Sequence, residues 1–250
     1  RLGGADAKRR DQFVVYTAHW DHFGRNPNLV GNQIFHGAAD NASGVAGLLE
    51  LAKAYTKLAH PPARSILFMS VTGEEQGLLG SKWYAMHPLY PLDHTVAAIN
   101  MDVLNLWGRT RDLTIPGKGQ STLEDTLTQL ASARGRTVLP DQEPEKGHFF
   151  RSDHFEFAKV GVPAISYGGG YDYIGRPAGW GMQKHQEFVA HDYHKPSDEV
   201  KPDWDLSGAV DDLRLLLDLG YTVAQARDIP QWKSGSEFKA RRDAMRRASP

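Results

Sequence analysis

Histidines and carboxylates recur in this chain at spacings that suit metal chemistry. Thr17-Ala-His19-Trp-Asp21, Ala39-Asp40-Asn-Ala-Ser43-Gly44, Thr72-Gly-Glu74-Glu75-Gln-Gly77 and Ile99-Asn-Met-Asp102 each carry one or two such groups, and Tyr193-His194-Lys-Pro-Ser-Asp198 closes the set. Two imidazoles, His19 and His194, with three carboxylates, Asp40, Glu75 and Asp102, suit zinc, with cobalt or manganese also acceptable. Thiolate ligation is excluded, because the chain has no cysteine. Three carboxylates and a bridging hydroxide would balance two divalent cations. Glu74 is then left over beside the metals without being a ligand, where a general base belongs. Asp21 is read as the acceptor for the other ring nitrogen of His19, fixing its tautomer.

The elements that must position these groups are also readable. The segments 12–18 (QFVVYTA), 64–72 (RSILFMSVT) and 95–101 (TVAAINM) are apolar and rich in β-branched residues, the pattern of buried strands. His19, Glu74-Glu75 and Asp102 follow them. Residues 42–58 have apolar side chains at helical spacing (Val45, Leu48, Leu49, Ala52, Tyr55), with Asp40, Asn41 and Ser43 supplying N-cap chemistry. Strands alternating with helices imply an α/β fold, a single mostly parallel sheet flanked by helices. Sites in such sheets form beyond the carboxyl ends of the strands, where these groups fall.

Further helices are expected at 77–86, 121–133, 152–159 and 206–226, and strands at 113–116 and 162–167. The stretch 167–191 reads as a long glycine- and aromatic-rich connection that shapes one wall of the cleft before delivering His194. Residues 1–229 form the expected catalytic unit and 230–250 a basic C-terminal tail. At 250 residues and 40% hydrophobic, the chain can bury a full α/β core. Its net charge of −1 gives no reason to expect nucleic acid, and no apolar run is long enough to span a bilayer.

Each residue alone has an ordinary reading. His19 or His194 can be a packing or surface histidine, Asp40 a helix cap, and Glu74-Glu75 a solvated turn. Their order and their shared position at strand ends outweigh those readings. The signatures of a serine hydrolase (G-x-S-x-G), a zinc helix (H-E-x-x-H) and a phosphate loop are absent.

Together, H-x-D, A-D-N-A-S-G, G-E-E-x-G-L-x-G-S, N-x-D and H-x-P-S-D resemble the co-catalytic zinc aminopeptidases of metallopeptidase family 28, from about Phe13 to Val200. That family also includes glutamate carboxypeptidase II and, more distantly, glutaminyl cyclases. The resemblance implies a zinc-exopeptidase fold in which Asp40 bridges two zinc ions. His19 and Asp102 would complete one site, and Glu75 and His194 the other. It implies Glu74 as base and later acid, a water shared by the two metals, a cis Asp40–Asn41 peptide, and peptide substrates with a free N-terminus. It further implies a secreted or periplasmic setting, and relatives with additional strands ahead of this point. The family's usual oxyanion tyrosine is missing from Gly147-His148-Phe149-Phe150-Arg151-Ser152-Asp153, which leaves His148, Tyr167 and Tyr171 as candidates. A one-zinc glutaminyl cyclase and a catalytically inactive binding domain are the competing functions.

Overall fold

The computed structural model describes residues 1–248. The strands are β1 (Phe13–His19), β2 (Gly24–Arg25), β3 (Ile34–Phe35), β4 (Ser65–Val71), β5 (Thr95–Met101), β6 (Asp112–Ile115), β7 (Thr137–Pro140) and β8 (Ala164–Tyr167). The helices are α1 (Gly44–Tyr55), α2 (Leu79–Met86), α3 (Thr122–Ala133), α4 (His154–Lys159), α5 (Trp180–His191), α6 (Ser207–Gln225) and α7 (Lys239–Ala248).

The main sheet is parallel throughout, in the order β4-β1-β5-β8. β1 and β5 are buried along their whole length, so they read as continuous apolar runs rather than alternating ones. Alternation instead divides their side chains between two cores. Val14, Tyr16, Ala18, Ile99 and Met101 pack with Leu48, Leu51, Leu215 and Leu219 of α1 and α6. Phe13, Val15, Leu67 and Ala98 pack on the other face with Phe157, Trp232 and Phe238. Tyr16 donates to the Leu216 carbonyl at 2.7 Å, and α6 lies so close here that a Cβ on Gly220 would meet the Tyr16 hydroxyl at 1.9 Å.

Two expectations change. The second half of 167–191 is not irregular, because α5 occupies Trp180–His191. Residues 230–248 do not trail away as a polar tail. Trp232 and Phe238 are buried, Trp232 donates to the Gly161 carbonyl, and the buried Arg242 guanidinium caps the carbonyls of Leu92 and Thr95. Basic residues dominate the composition of that segment, but two aromatic anchors decide where it lies.

Candidate metal centre

Because β4, β1 and β5 are neighbours and parallel, their carboxyl ends stand side by side, about 4.8 Å apart. His19 ends β1, Asp102 follows β5, and Glu74-Glu75 follow β4 in a tight turn. Asp40 comes from the irregular turn before α1, whose Asp40–Asn41 peptide is cis. His194 comes from the segment after α5, with a left-handed backbone (φ 59°) that is uncommon for a residue with a side chain.

The donor atoms form two sets that share Asp40. His19 Nε2 lies 3.2 Å from Asp40 Oδ1 and 3.3 Å from Asp102 Oδ1. His194 Nε2 lies 3.2 Å from Asp40 Oδ2 and 3.2 Å from Glu75 Oε2. Donors held ~2.0–2.1 Å from a tetrahedral zinc are ~3.3–3.4 Å apart, so both sets have the spacing of ligands around such an ion. His19, Asp40 and Glu75 also converge closely enough to share an ion.

Supporting bonds hold His19, Asp102, Asp40 and Glu75. His19 Nδ1 is 3.1 Å from the backbone carbonyl of Asp21, which can only accept, so Nδ1 carries the proton and Nε2 offers its lone pair. The expected partner residue is therefore present, but it acts through its backbone; its carboxylate is 3.9 Å away. Asp102 Oδ2 accepts from Ser152 Oγ at 2.9 Å, Ser152 accepts from Asn100 at 2.7 Å, and Asn100 accepts from Thr17 at 2.6 Å. Asp40 is held from both sides. The Asp198 carboxylate accepts the N–H groups of Ala39 and Asp40 at 2.8 and 3.0 Å. Asn41 donates to the Met101 carbonyl and accepts from Gly44 and Val103. His22 places Nδ1 2.6 Å from Glu75 Oε1.

Electrostatics follow from so many carboxylates in one buried place. Burial, reinforced by the charge on Asp102, pushes Glu74 up to about 9. Burial likewise raises Asp153, to about 7, against the hydrogen bond from Ser81. Burial opposes charge on the imidazoles, but hydrogen bonds to Asp102 and Asp40 raise His19 strongly, and those to Asp40 and Glu75 raise His194 to about 9. Burial would raise Asp40, but the two imidazoles hold it below the usual carboxylate range. A site that recruits protons this way without metal is one whose charge suits bound cations.

The three oxyanion candidates make other contacts. Tyr167 is buried and donates to Asp212. His148 Nδ1 is bonded to the Asp141 carboxylate at 3.0 Å. Tyr171 packs edge-on against His185, near Glu143 and Asp141. Sequence reasoning passed over Tyr193. Its ring stacks on His194 with centroids 3.7 Å apart, and partial desolvation, with the charges of Asp40, Asp102, Glu75 and Glu74, pushes its hydroxyl above the ordinary tyrosine range. Its signal was its place immediately before a ligand.

The chain thus gathers nitrogen and oxygen donors at the carboxyl edge of a parallel α/β sheet, an arrangement suited to a metal-dependent hydrolase. The chain belongs to peptidase family M28, whose family model matches residues 2–217. The fold is similar to that of BSAP, a zinc aminopeptidase from Bacillus subtilis, with a TM-score of 0.65 at 21% identity, over 96% of this chain and 50% of that one. A probable zinc metalloprotease of Pyrenophora tritici-repentis is 37% identical over 95 residues, 38% of this chain and 21% of that protein. A vacuolar membrane protease of Aspergillus fumigatus is 31% identical over 96 residues, 38% of this chain and 9% of that protein. The chain thus spans half of the solved structure, and its matches cover 21% and 9% of these two curated relatives. No helix among the described residues is long and apolar enough to cross a membrane.

Proposed function

We propose that this chain carries the catalytic centre of a two-zinc aminopeptidase. His19 and Asp102 would hold one ion and Glu75 and His194 the other, with Asp40 offering one carboxylate oxygen to each set. The observation that carries this reading is the pair of Asp40 oxygens, each 3.2 Å from a different imidazole. When bound, the two zinc ions would acidify a shared water and polarise the scissile carbonyl.

The chain's own groups do the rest. Glu74 is buried beside Asp102 and is not used in either donor set. As general base it takes the proton of the attacking water, and it then passes that proton to the leaving amine. Its low exposure and the carboxylates around it favour proton uptake, which suits the first step, and the charge of two bound cations would lower its pKa enough for it to accept at neutral pH. Tyr193, whose ring stacks on His194, offers its hydroxyl as a donor to the developing oxyanion. A free substrate amine, being cationic, is attracted to the same carboxylates.

The test uses matched peptides with free and acetylated N-termini, with added zinc and with a chelator control. Chelator-sensitive cleavage of the free-amine peptide alone is expected. Cleavage of both peptides would instead indicate a carboxypeptidase or broader amidase. Turnover of an N-terminal glutamine to pyroglutamate, with no cleavage, would indicate a cyclase.

A further inference from the structure

We infer that His22 is a positioning residue that fixes Glu75 as a one-oxygen ligand and so sets the affinity of the Glu75–His194 half of the site. The inference rests on the two-metal reading above. His22 Nδ1 lies 2.6 Å from Glu75 Oε1, while the other oxygen, Oε2, faces His194 Nε2 at 3.2 Å. A carboxylate can only accept, so Nδ1 carries the proton and the bond is charge-assisted. One oxygen of Glu75 is thereby committed to His22, and one is aimed at the donor set.

The ring is itself held in place. The His22 side chain is 7% exposed. Its ring lies edge-on to Phe23 and to His194, with centroids 5.0 and 5.9 Å away, and Phe35 flanks it at 6.4 Å. Gly37 closes the pocket. Its φ of +61° suits glycine, and a Cβ there would stand 2.9 Å from Cγ of His22. His22 Nε2 is buried with no hydrogen-bond partner among the described residues, so the Glu75 contact is the polar bond that orients the ring.

The two halves of the site therefore differ in design. In one, the supporting bonds run from the imidazole of His19 to a carbonyl and from the neutral hydroxyl of Ser152 to Asp102. In the other, the supporting bond runs from a non-ligating imidazole, His22, to a ligating carboxylate. Loss of such a support typically weakens metal binding about 10–100-fold. That loss falls on one ion only.

The test is a zinc titration of metal-stripped protein against a competing chelator, which resolves two affinities. His22→Ala is expected to weaken one affinity about 10–100-fold and leave the other within about threefold. His194→Ala should abolish the same affinity that His22→Ala weakens. His22→Asn, whose amide nitrogen sits where Nδ1 does, should recover most of the loss, and His22→Gln should not. The asparagine and glutamine variants keep a polar group in the pocket, so their comparison stands even if the alanine variant folds poorly. Two affinities falling together, neither moving, or asparagine performing no better than glutamine would overturn the role of His22. A wild type that takes up a single zinc would overturn the two-metal reading, and the role of His22 with it.

Discussion

In the proposed mechanism Glu74 and Tyr193 act as proton acceptor and proton donor, and the carboxylates around them bear on both groups. Glu74→Gln keeps the size and polarity of the side chain but removes the base. We expect unchanged zinc content and a fall in kcat of about 10²–10⁴-fold. Metal analysis and steady-state kinetics on the same preparation check this, and near-normal turnover would remove Glu74 from its role. Tyr193→Phe keeps the ring on His194 and deletes only the hydroxyl. It should lower kcat about 10²–10³-fold with KM little changed, because the bond forms as negative charge develops. A change confined to KM would make Tyr193 a substrate contact instead. Neither tyrosine role nor the use of the Asp21 backbone was legible in the sequence. Both depend on where a turn aims an atom, whereas the ligands themselves follow recognisable strands.

At the scale of elements, the site is a junction of strand ends with two turns that must be tied to them. β1, β4 and β5 were legible because strands buried in a parallel sheet are continuous apolar runs. α5 was not, because within WGMQKHQEFVAH only Gly181 and Phe188 are buried, which leaves no apolar stripe to read. Yet α5 matters to the site. Phe188 packs against Ala39 and Leu106, and its carbonyl accepts the N–H of Tyr193 just before His194. Asp198 then joins the His194 turn to the Asp40 turn. Asp198→Ala would leave two buried N–H groups without their acceptor, at about 1–3 kcal/mol each. A loss of about 2–4 kcal/mol in the urea unfolding of the metal-free protein is expected. A loss below about 0.5 kcal/mol would mean that those groups find other partners.

For the whole molecule, protons and metals compete for one buried charge cluster. In the metal-free protein Glu74 and His194 are both raised to about 9. Folded chains then hold more protons than unfolded ones between pH 7 and 9. The stability these groups contribute is present at lower pH and is lost as pH rises through that window. The lowered Asp40 already contributes fully above the normal carboxylate range, so it adds no slope there. The urea midpoint of chelator-treated protein should therefore fall from pH 7 to pH 9. The slope should reach up to ~1.4 kcal/mol per pH unit for Glu74 alone. Zinc, which displaces the proton on His194 and lowers Glu74 through its charge, should raise the midpoint and flatten the slope. A metal-free midpoint that holds steady or rises would contradict this balance.

The central claim is that five side chains, His19, Asp40, Glu75, Asp102 and His194, assemble a working site only when two ions are bound. The most direct measurement adds zinc stepwise to metal-stripped protein and follows hydrolysis of a free-amine peptide against the zinc bound per chain. The account predicts that activity climbs until two equivalents are bound and then levels off. Full activity at one equivalent, or activity that does not depend on zinc, would contradict it.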